Sequence, residues 1–307
     1  MTTIDVPLKY TSTDEYIKPP HGFCPGCGAA LAIRYFLKAI GDKVILVMPP
    51  GCTAPSVIRA LEHNGEPIDT VGSPFGNVAF IAAGIKSGLI AKGDTETQVI
   101  GWAGDGATFD IGFSAVSAAA ERNDDIIYVC YDNEAYQNTG NQRSSASPWR
   151  TINTTNPPGA PKMEFKKDIM TIMAAHVIPY AATATVGFPD DLMRKAQKAK
   201  SIKGFRFLHI LTPCPSGWGF PSHLTLELSR LAVDTKVFPL FEVEDGVNFV
   251  INRQPKGIPP SKYTRPQQRF QYLTDEFLLE FERMTEQRWK RLLFLAGYKK
   301  KDAKRLR

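Results

Sequence analysis

The sequence predicts an α/β protein built on a doubly wound, mainly parallel sheet. Three observations carry that expectation. Short apolar, partly β-branched runs recur along the 307-residue chain, each bounded by Gly, Pro or Asp, as buried parallel strands tend to be. Stretches with apolar residues at helical spacing lie between them. Strand then helix, repeated, calls for a sheet covered on both faces.

In chain order, the first helical pattern covers 28–40, and "KVILVMP" (43–49) reads as a strand. A helix over 78–90 leads to the strand "TQVIGWAG" (97–104), and a helix over 111–122 to "DIIYVCYD" (125–132). Residues 138–162, opening "NTGNQRSSASPW", are polar and rich in Pro, Thr and Asn. Connections of that length are commonly functional or disordered. Helices over 164–176 and 190–200 precede the strand "FRFLHIL" (205–211). Beyond residue 246 the chain turns proline-rich and then reads as one or two amphipathic helices from 266 to 298. The expected division is an α/β domain over 1–246 and a helical extension over 247–307, with no internal repeat.

Composition excludes several classes. Apolar content of 43% and charged content of 22% are ordinary for a soluble globular chain. No uninterrupted apolar run approaches the roughly 18 residues of a membrane span. The opening "MTTIDVPLKYTSTDEY" has no apolar core of a secretory signal, so a cytoplasmic protein is expected. Net charge is +6, but "KKKDAKRLR" (299–307) carries +5 of it, leaving a nearly neutral body. Without interleaved aromatics or a reading motif, such a tail argues against nucleic acid and for a solvated end or a dock for an acidic partner.

"GWAGDGATFDIG" (101–112) poses the central question. Asp-Gly is a hairpin signal, but a hairpin needs a second strand, and "ATFDIGFSAVSAAAERN" reads as a helix instead. Strand, glycine turn and helix aim free N–H groups and a helix dipole at one point, which suits a phosphate. Asp105 beside a phosphate then requires a divalent cation, and hard cations take oxygen ligands. Asn133 supplies one: 25 residues separate Gly106 from Asp132, enough for one crossover helix and one strand. Asp105 and Asn133 would meet at adjacent C-terminal strand ends, where α/β sheets bind ligands. Gly-Asp-Gly followed by Asn at this spacing resembles the motif by which thiamine diphosphate enzymes hold Mg²⁺ and the diphosphate. Asp132 reads as a turn or helix-capping group.

There are five cysteines. Cys24 and Cys27, in "FCPGCGAA", open a helix and admit three readings: a redox pair, structural zinc, or part of an iron–sulfur site. The preceding "EYIKPPHGF" is not the apolar strand expected before a thioredoxin-like pair. Cys52 ("PPGCTAP") and Cys214 ("LTPCPSGW") lie in Pro/Gly-rich loops after strands, whereas Cys130 lies within a strand as a small buried side chain.

"CPGCGAA", "GCTAPS", "GDGATFDIG", "DNEAYQNTGNQRSSASPW" and "PCPSGW", in that order, closely resemble the β subunit of 2-oxoacid:ferredoxin oxidoreductases, particularly the pyruvate type. The resemblance spans about 21–246 and is looser beyond. It implies the thiamine diphosphate-binding fold, with Cys24, Cys27, Cys52 and Cys214 holding a [4Fe–4S] cluster. It implies Mg²⁺ on Asp105, Asn133 and the Ala135 carbonyl, cofactor contacts at Gly104, Gly106 and Thr139, and Asn138 facing the reacting carbon. The implied reaction is reversible oxidative decarboxylation of a 2-oxoacid with coenzyme A, giving acyl-CoA, CO₂ and reduced ferredoxin. Ala29 departs from members that carry an acidic residue directly after "CPGCG".

No ferredoxin-like run of cysteines and no second α/β domain is visible in the sequence. The resemblance therefore implies an α subunit completing the thiamine site, with γ and ferredoxin-like δ subunits or domains and an external ferredoxin. A noncatalytic zinc or cluster scaffold is the rival of another class; it needs the four cysteines but has no use for Asp105 and Asn133. The substrate expectation is pyruvate, with branched-chain 2-oxoacids or oxalate as alternatives. Relatives that take 2-oxoglutarate tend to carry a bulky apolar residue where Asn138 stands and a Lys where Gly140 stands.

Overall fold

The computed structural model describes residues 14–298, so the basic tail lies outside the described residues. Helix α1 (Gly28–Ile40) precedes β1 (Val44–Met48), α2 (Ala54–Asn64), β2 (Asp69–Gly72), α3 (Val78–Ala91) and β3 (Gln98–Gly104). Then come α4 (Phe113–Glu121), β4 (Ile127–Asp132), α5 (Ile169–Ala175), β5 (Tyr180–Thr185), α6 (Pro189–Ser201) and β6 (Arg206–Leu211). Two helices, α7 (Pro215–Trp218) and α8 (Thr225–Asp234), lead to β7 (Phe241–Glu244), β8 (Asn248–Ile251), α9 (Ser261–Thr264) and α10 (Asp275–Leu295).

One sheet orders its strands β2-β1-β3-β4-β6-β5-β7-β8. Strands β1 to β6 are parallel; β7 is antiparallel to β5, and β8 to β7. The parallel interior explains the sequence pattern: β4, β5 and β6 are buried at every position, because helices cover both faces. One face packs Phe36, Val57 and Ala196 of α1, α2 and α6 around Trp102. The other packs α3, α4 and α5 together with Trp289, Leu292 and Leu293 of α10. Each of those three large side chains contributes about 1.5–3 kcal/mol by burial, so α10 is part of the sheet's cover.

Three differences from the sequence expectation have physical causes. The helix expected over 111–122 begins earlier, with a π-helical turn over Gly106–Ile111, so the chain bends directly after Asp105. The helix expected over 164–176 is shortened to α5 because Asp168 caps it, its carboxylate accepting from Thr171 N–H. The expected boundary at 246 falls inside the turn of the β7–β8 hairpin, whose second strand precedes the proline-rich stretch. Strand β5, with its unpatterned "YAATAT", lies buried in the sheet.

Candidate active site

Chain direction reverses between β1 and β3: from β1 the chain moves outward to β2, then returns to the far side of β1 as β3. That switch point leaves a crevice at the C-terminal strand ends. Three of those ends meet there, in the loops after β1 (50–52), β3 (104–107) and β4 (133–139), around a cleft of about 180 Å³. Parallel pairing of Gly104 with Tyr131 sets Asp105 level with the end of β4, and the intervening helix excludes the hairpin reading of Asp-Gly. Gly106 is obligatory: a Cβ there would lie 2.3 Å from the Tyr136 ring, whose hydroxyl donates to the Gly106 carbonyl.

Asp105 is 1% exposed. Burial and the neighbouring Asp132 carboxylate push its carboxyl well above the usual range, against the hydrogen bond that Ser144 Oγ donates at 2.5 Å. A carboxyl so placed is short of positive charge. Facing it, the Asn133 side-chain oxygen stands 3.0 Å from Asp105 Oδ1 and 2.8 Å from the Ala135 carbonyl, and only a turned amide would make these contacts hydrogen bonds. The Asp105 carboxyl, the Asn133 amide and the Ala135 carbonyl thus converge at separations that match one edge set of a cation site. Ligands at about 2.0–2.1 Å around an octahedral Mg²⁺ sit roughly 2.9 Å from their neighbours. The donor set fits a small hard cation.

The loop that presents these oxygens rests on buried charge. Asp132 accepts from the Glu134 N–H at 2.8 Å, so it is a turn group as expected rather than a helix cap. Burial alone would raise its pKa, but Lys166 Nζ at 2.5 Å and His209 Nε2 at 2.7 Å hold it well below the usual carboxylate range. His209 is in turn pushed down by burial, despite Asp132. Glu134 adopts φ 63°, a left-handed conformation costing a side-chain-bearing residue about 1–2 kcal/mol.

The thiols lie on the same rim. Cys24 and Cys27 precede α1, Cys52 follows β1 and Cys214 follows β6. Gly28 allows the approach: its N–H donates to the Pro213 carbonyl at 3.1 Å, and a Cβ would meet the Pro213 backbone at 2.8 Å. Burial, then the proximity of Cys214, Cys27 and Cys24, raises the Cys52 thiol to about 12; burial and Cys214 raise Cys27 to about 11. The four thiols therefore share one neighbourhood. Among the described residues no group of three or more His, Cys, Asp or Glu side chains converges on a single-ion site. Cys130 is fully buried in β4, as expected.

Gly104, Asp105, Gly106, Asn133, Ala135, Asn138 and Thr139 all line the cleft, and so does Cys52. Asn138 and Thr139 are exposed, and the Thr139 hydroxyl donates to Gln142 Oε1 at 2.5 Å. Gly140 has φ 112°, where a Lys would be strained. Ser144, Glu134, Lys166 and Trp218 were not singled out by sequence reasoning; "RSSASPW" marked the Ser144 segment without naming the hydroxyl. A larger cavity of about 370 Å³ lies under α10, lined by Trp149, Phe241, Phe249 and Phe281, without the converging oxygens. At 180 Å³ the cleft is smaller than the roughly 300 Å³ or more that usually encloses a cofactor-sized ligand, as half a site would be.

A mainly parallel sheet with a cleft at its switch point, lined by Asp105 and Asn133, points to a class, and the family match names it. Residues 51–210 match the family described as thiamine pyrophosphate enzyme, C-terminal TPP binding domain, so this is a thiamine diphosphate enzyme chain. The pyruvate synthase subunit PorB of Methanocaldococcus jannaschii is 41% identical over 289 residues, covering 91% of this chain and 97% of that one. The ketoisovalerate oxidoreductase subunit VorB of Pyrococcus furiosus is 40% identical over 294 residues, covering 92% and 94%. The chain belongs to the 2-oxoacid:ferredoxin oxidoreductase family, among the subunits of its heteromeric complexes. In fold it is similar to a 2-oxoglutarate:ferredoxin oxidoreductase from Magnetococcus marinus, with TM-score 0.55 and 22% identity over 72% of this chain and 79% of that one. No helix among the described residues is long and apolar enough to cross a membrane.

Proposed function

We propose that this chain is the cofactor-holding half of a 2-oxoacid:ferredoxin oxidoreductase whose substrate is pyruvate. The observation that carries the reading is the convergence of the buried Asp105 carboxyl, the Asn133 amide and the Ala135 carbonyl in the cleft whose wall includes Cys52. Asp105, Asn133 and Ala135 would hold Mg²⁺, with Gly104, Gly106 and Thr139 along the diphosphate and Asn138 toward the reacting carbon. Cys24, Cys27, Cys52 and Cys214 would hold a [4Fe–4S] cluster. Thiamine diphosphate supplies an electron sink for decarboxylation, and a cluster takes electrons one at a time. The residues of this chain would hold the cation that neutralises the diphosphate and so fix its orientation, and Cys52 stands in the cleft wall. Coenzyme A would accept the acyl group. An α subunit would close the open side, while γ and δ subunits or domains would relay electrons to an external ferredoxin in the cytoplasm.

The PorB and VorB relatives are equally similar, so overall identity does not choose between pyruvate and 2-oxoisovalerate. The choice of a small substrate rests on the exposed Asn138-Thr139-Gly140 segment, which carries no cation to pair with a distal carboxylate. A Lys there would contribute about 1.5–3 kcal/mol toward such a substrate. The test is anaerobic purification of the complex with its partner subunits. Iron, zinc and thiamine are measured, and turnover is ranked on pyruvate, 2-oxoisovalerate, oxalate and 2-oxoglutarate. About four iron atoms on this chain, no stoichiometric zinc and a preference for pyruvate are expected. A preference for 2-oxoglutarate overturns the substrate assignment, and zinc without thiamine overturns the enzyme reading.

A further inference from the structure

Glu134 stands between the two residues whose oxygens face Asp105, and the proposed function gives it no task. We infer that Glu134 is a positioning residue for the divalent cation: its ion pairs hold a left-handed turn that aims the Asn133 side-chain oxygen and the Ala135 carbonyl at Asp105. The inference rests on the cation reading under Proposed function.

Four contacts pin the turn. The Glu134 N–H donates to Asp132 Oδ1 at 2.8 Å, and its carbonyl accepts from Ser147 Oγ at 2.6 Å. Its carboxylate pairs with Lys166 Nζ at 2.6 Å and with Arg269 at 2.7 Å, the latter a charge contact off the hydrogen-bond axis. Backbone geometry explains why so many are needed. Relaxing φ from 63° into the right-handed region would rotate the peptide on either side of Glu134 and swing the Ala135 carbonyl out of the cleft.

Arg269 also holds the other side of Asn133. Its guanidinium stacks 3.7 Å over the Trp218 ring, and the Trp218 indole N–H donates to the Asn133 carbonyl at 2.7 Å. Trp218 lies four residues beyond Cys214, whose sulfur accepts from Gly217 N–H at 3.4 Å. One cation therefore ties the oxygen ligands to a thiol loop. A charge network serving only the fold needs its charges balanced. It does not need a strained glutamate inserted between two candidate ligands.

The test uses the anaerobically purified complex with its partner subunits. Thiamine diphosphate binding is followed by quenching of protein fluorescence while Mg²⁺ is titrated, with cluster absorption and melting temperature recorded alongside. For Glu134→Gln the Mg²⁺ concentration at half-saturation should rise about 10- to 100-fold, as losing a residue that orients metal ligands usually does, with cluster absorption retained. Glu134→Asp, which keeps the charge, should recover part of that shift. A lower melting temperature with an unchanged Mg²⁺ titration overturns the inference. If Glu134→Gln does not fold, Arg269→Lys is read in the same titration, because it keeps a charge but loses the stacked fork. An Mg²⁺ requirement unchanged in that variant overturns the inference equally. A wild-type complex that binds no thiamine diphosphate at any Mg²⁺ concentration overturns this inference and the proposed function together; wild-type binding with unshifted variants overturns this inference alone.

Discussion

The oxygen cluster around Asp105 and the cysteine rim around Cys52 share one end of one sheet, yet they are built in opposite ways. Asp105 and Asn133 directly follow strand ends and are almost fully buried; Ser144 holds Asp105, and the loop that carries Asn133 rests on Asp132 with its Lys166 and His209 partners. The thiols sit in three loops, partly exposed, with few hydrogen bonds of their own. Under the proposed function, the difference teaches that the oxygen site would be preorganised for its ion, whereas the thiol loops would take their final form with the cluster. A hard cation demands near-ideal octahedral placement of its ligands, and a rigid sheet provides it. A thiolate-bound centre brings much of its own binding free energy and can organise loops around itself.

Breaking either region should therefore have different consequences. The largest expected effect is at Asp105: Asp105→Ala should abolish thiamine diphosphate binding, measured by fluorescence quenching in the complex, while visible cluster absorption stays. Asp105→Asn keeps the shape without the charge and should weaken binding less. Normal binding by both variants would reduce the Gly-Asp-Gly motif to a plain turn. Next, Cys52→Ala or Cys214→Ala should remove this chain's share of the complex's cluster absorption and about four iron atoms, with a lower melting temperature because loop order would depend on the bound group; Cys130→Ala should leave both intact. Retained absorption in the Cys214 variant would remove that residue from the ligand set.

A smaller effect sharpens the claim of preorganisation. Ser144→Ala removes the hydrogen bond that orients Asp105 and should weaken thiamine diphosphate binding about tenfold, the low end for a group that orients a metal ligand. No loss would mean that burial and the backbone position Asp105 without Ser144. The smallest effect concerns the iron-free protein. Burial holds the Cys27 and Cys52 thiols up at about 11 and about 12, so at pH 8 they carry little thiolate, whereas Cys24 is exposed to reagent. Mass spectrometry after timed alkylation at pH 8 should find Cys24 modified first, with Cys27 and Cys52 gaining reactivity as pH rises toward 11. Equal rates at pH 8 would show that the rim opens when iron is absent.

What was legible followed the local rules. Residues 28–40 formed a helix with the expected ends because apolar spacing and the preceding turn are local signals. The strands over 43–49, 97–104, 125–132 and 205–211 appeared within about two residues for the same reason. Strand β5 was illegible: "YAATAT" has neither alternation nor bulk, and only its neighbours make it a strand. The β7–β8 hairpin does carry a local signal, Asp245-Gly246 between the runs "FEVE" and "VNFVI", but the proline-rich reading of the chain beyond 246 passes over it. At the site, Asp105 and Asn133 were legible because a spacing of one helix and one strand fixes adjacent strand ends. Ser144 was not, since a hydroxyl in a long polar loop carries no periodic signal.

The sequence by itself determined the parallel sheet, the Gly-Asp-Gly turn with its spaced Asn, and the four cysteines in loops around it, because each depends on patterns that act within one or two elements. Only the tertiary structure decided which oxygens converge, that Glu134 is left-handed, and that Arg269, more than 130 positions away, braces it through a charge contact while stacking on Trp218. Those choices depend on charges removed from water together. Their cost and their partners exist only once the chain has brought distant residues into one buried place.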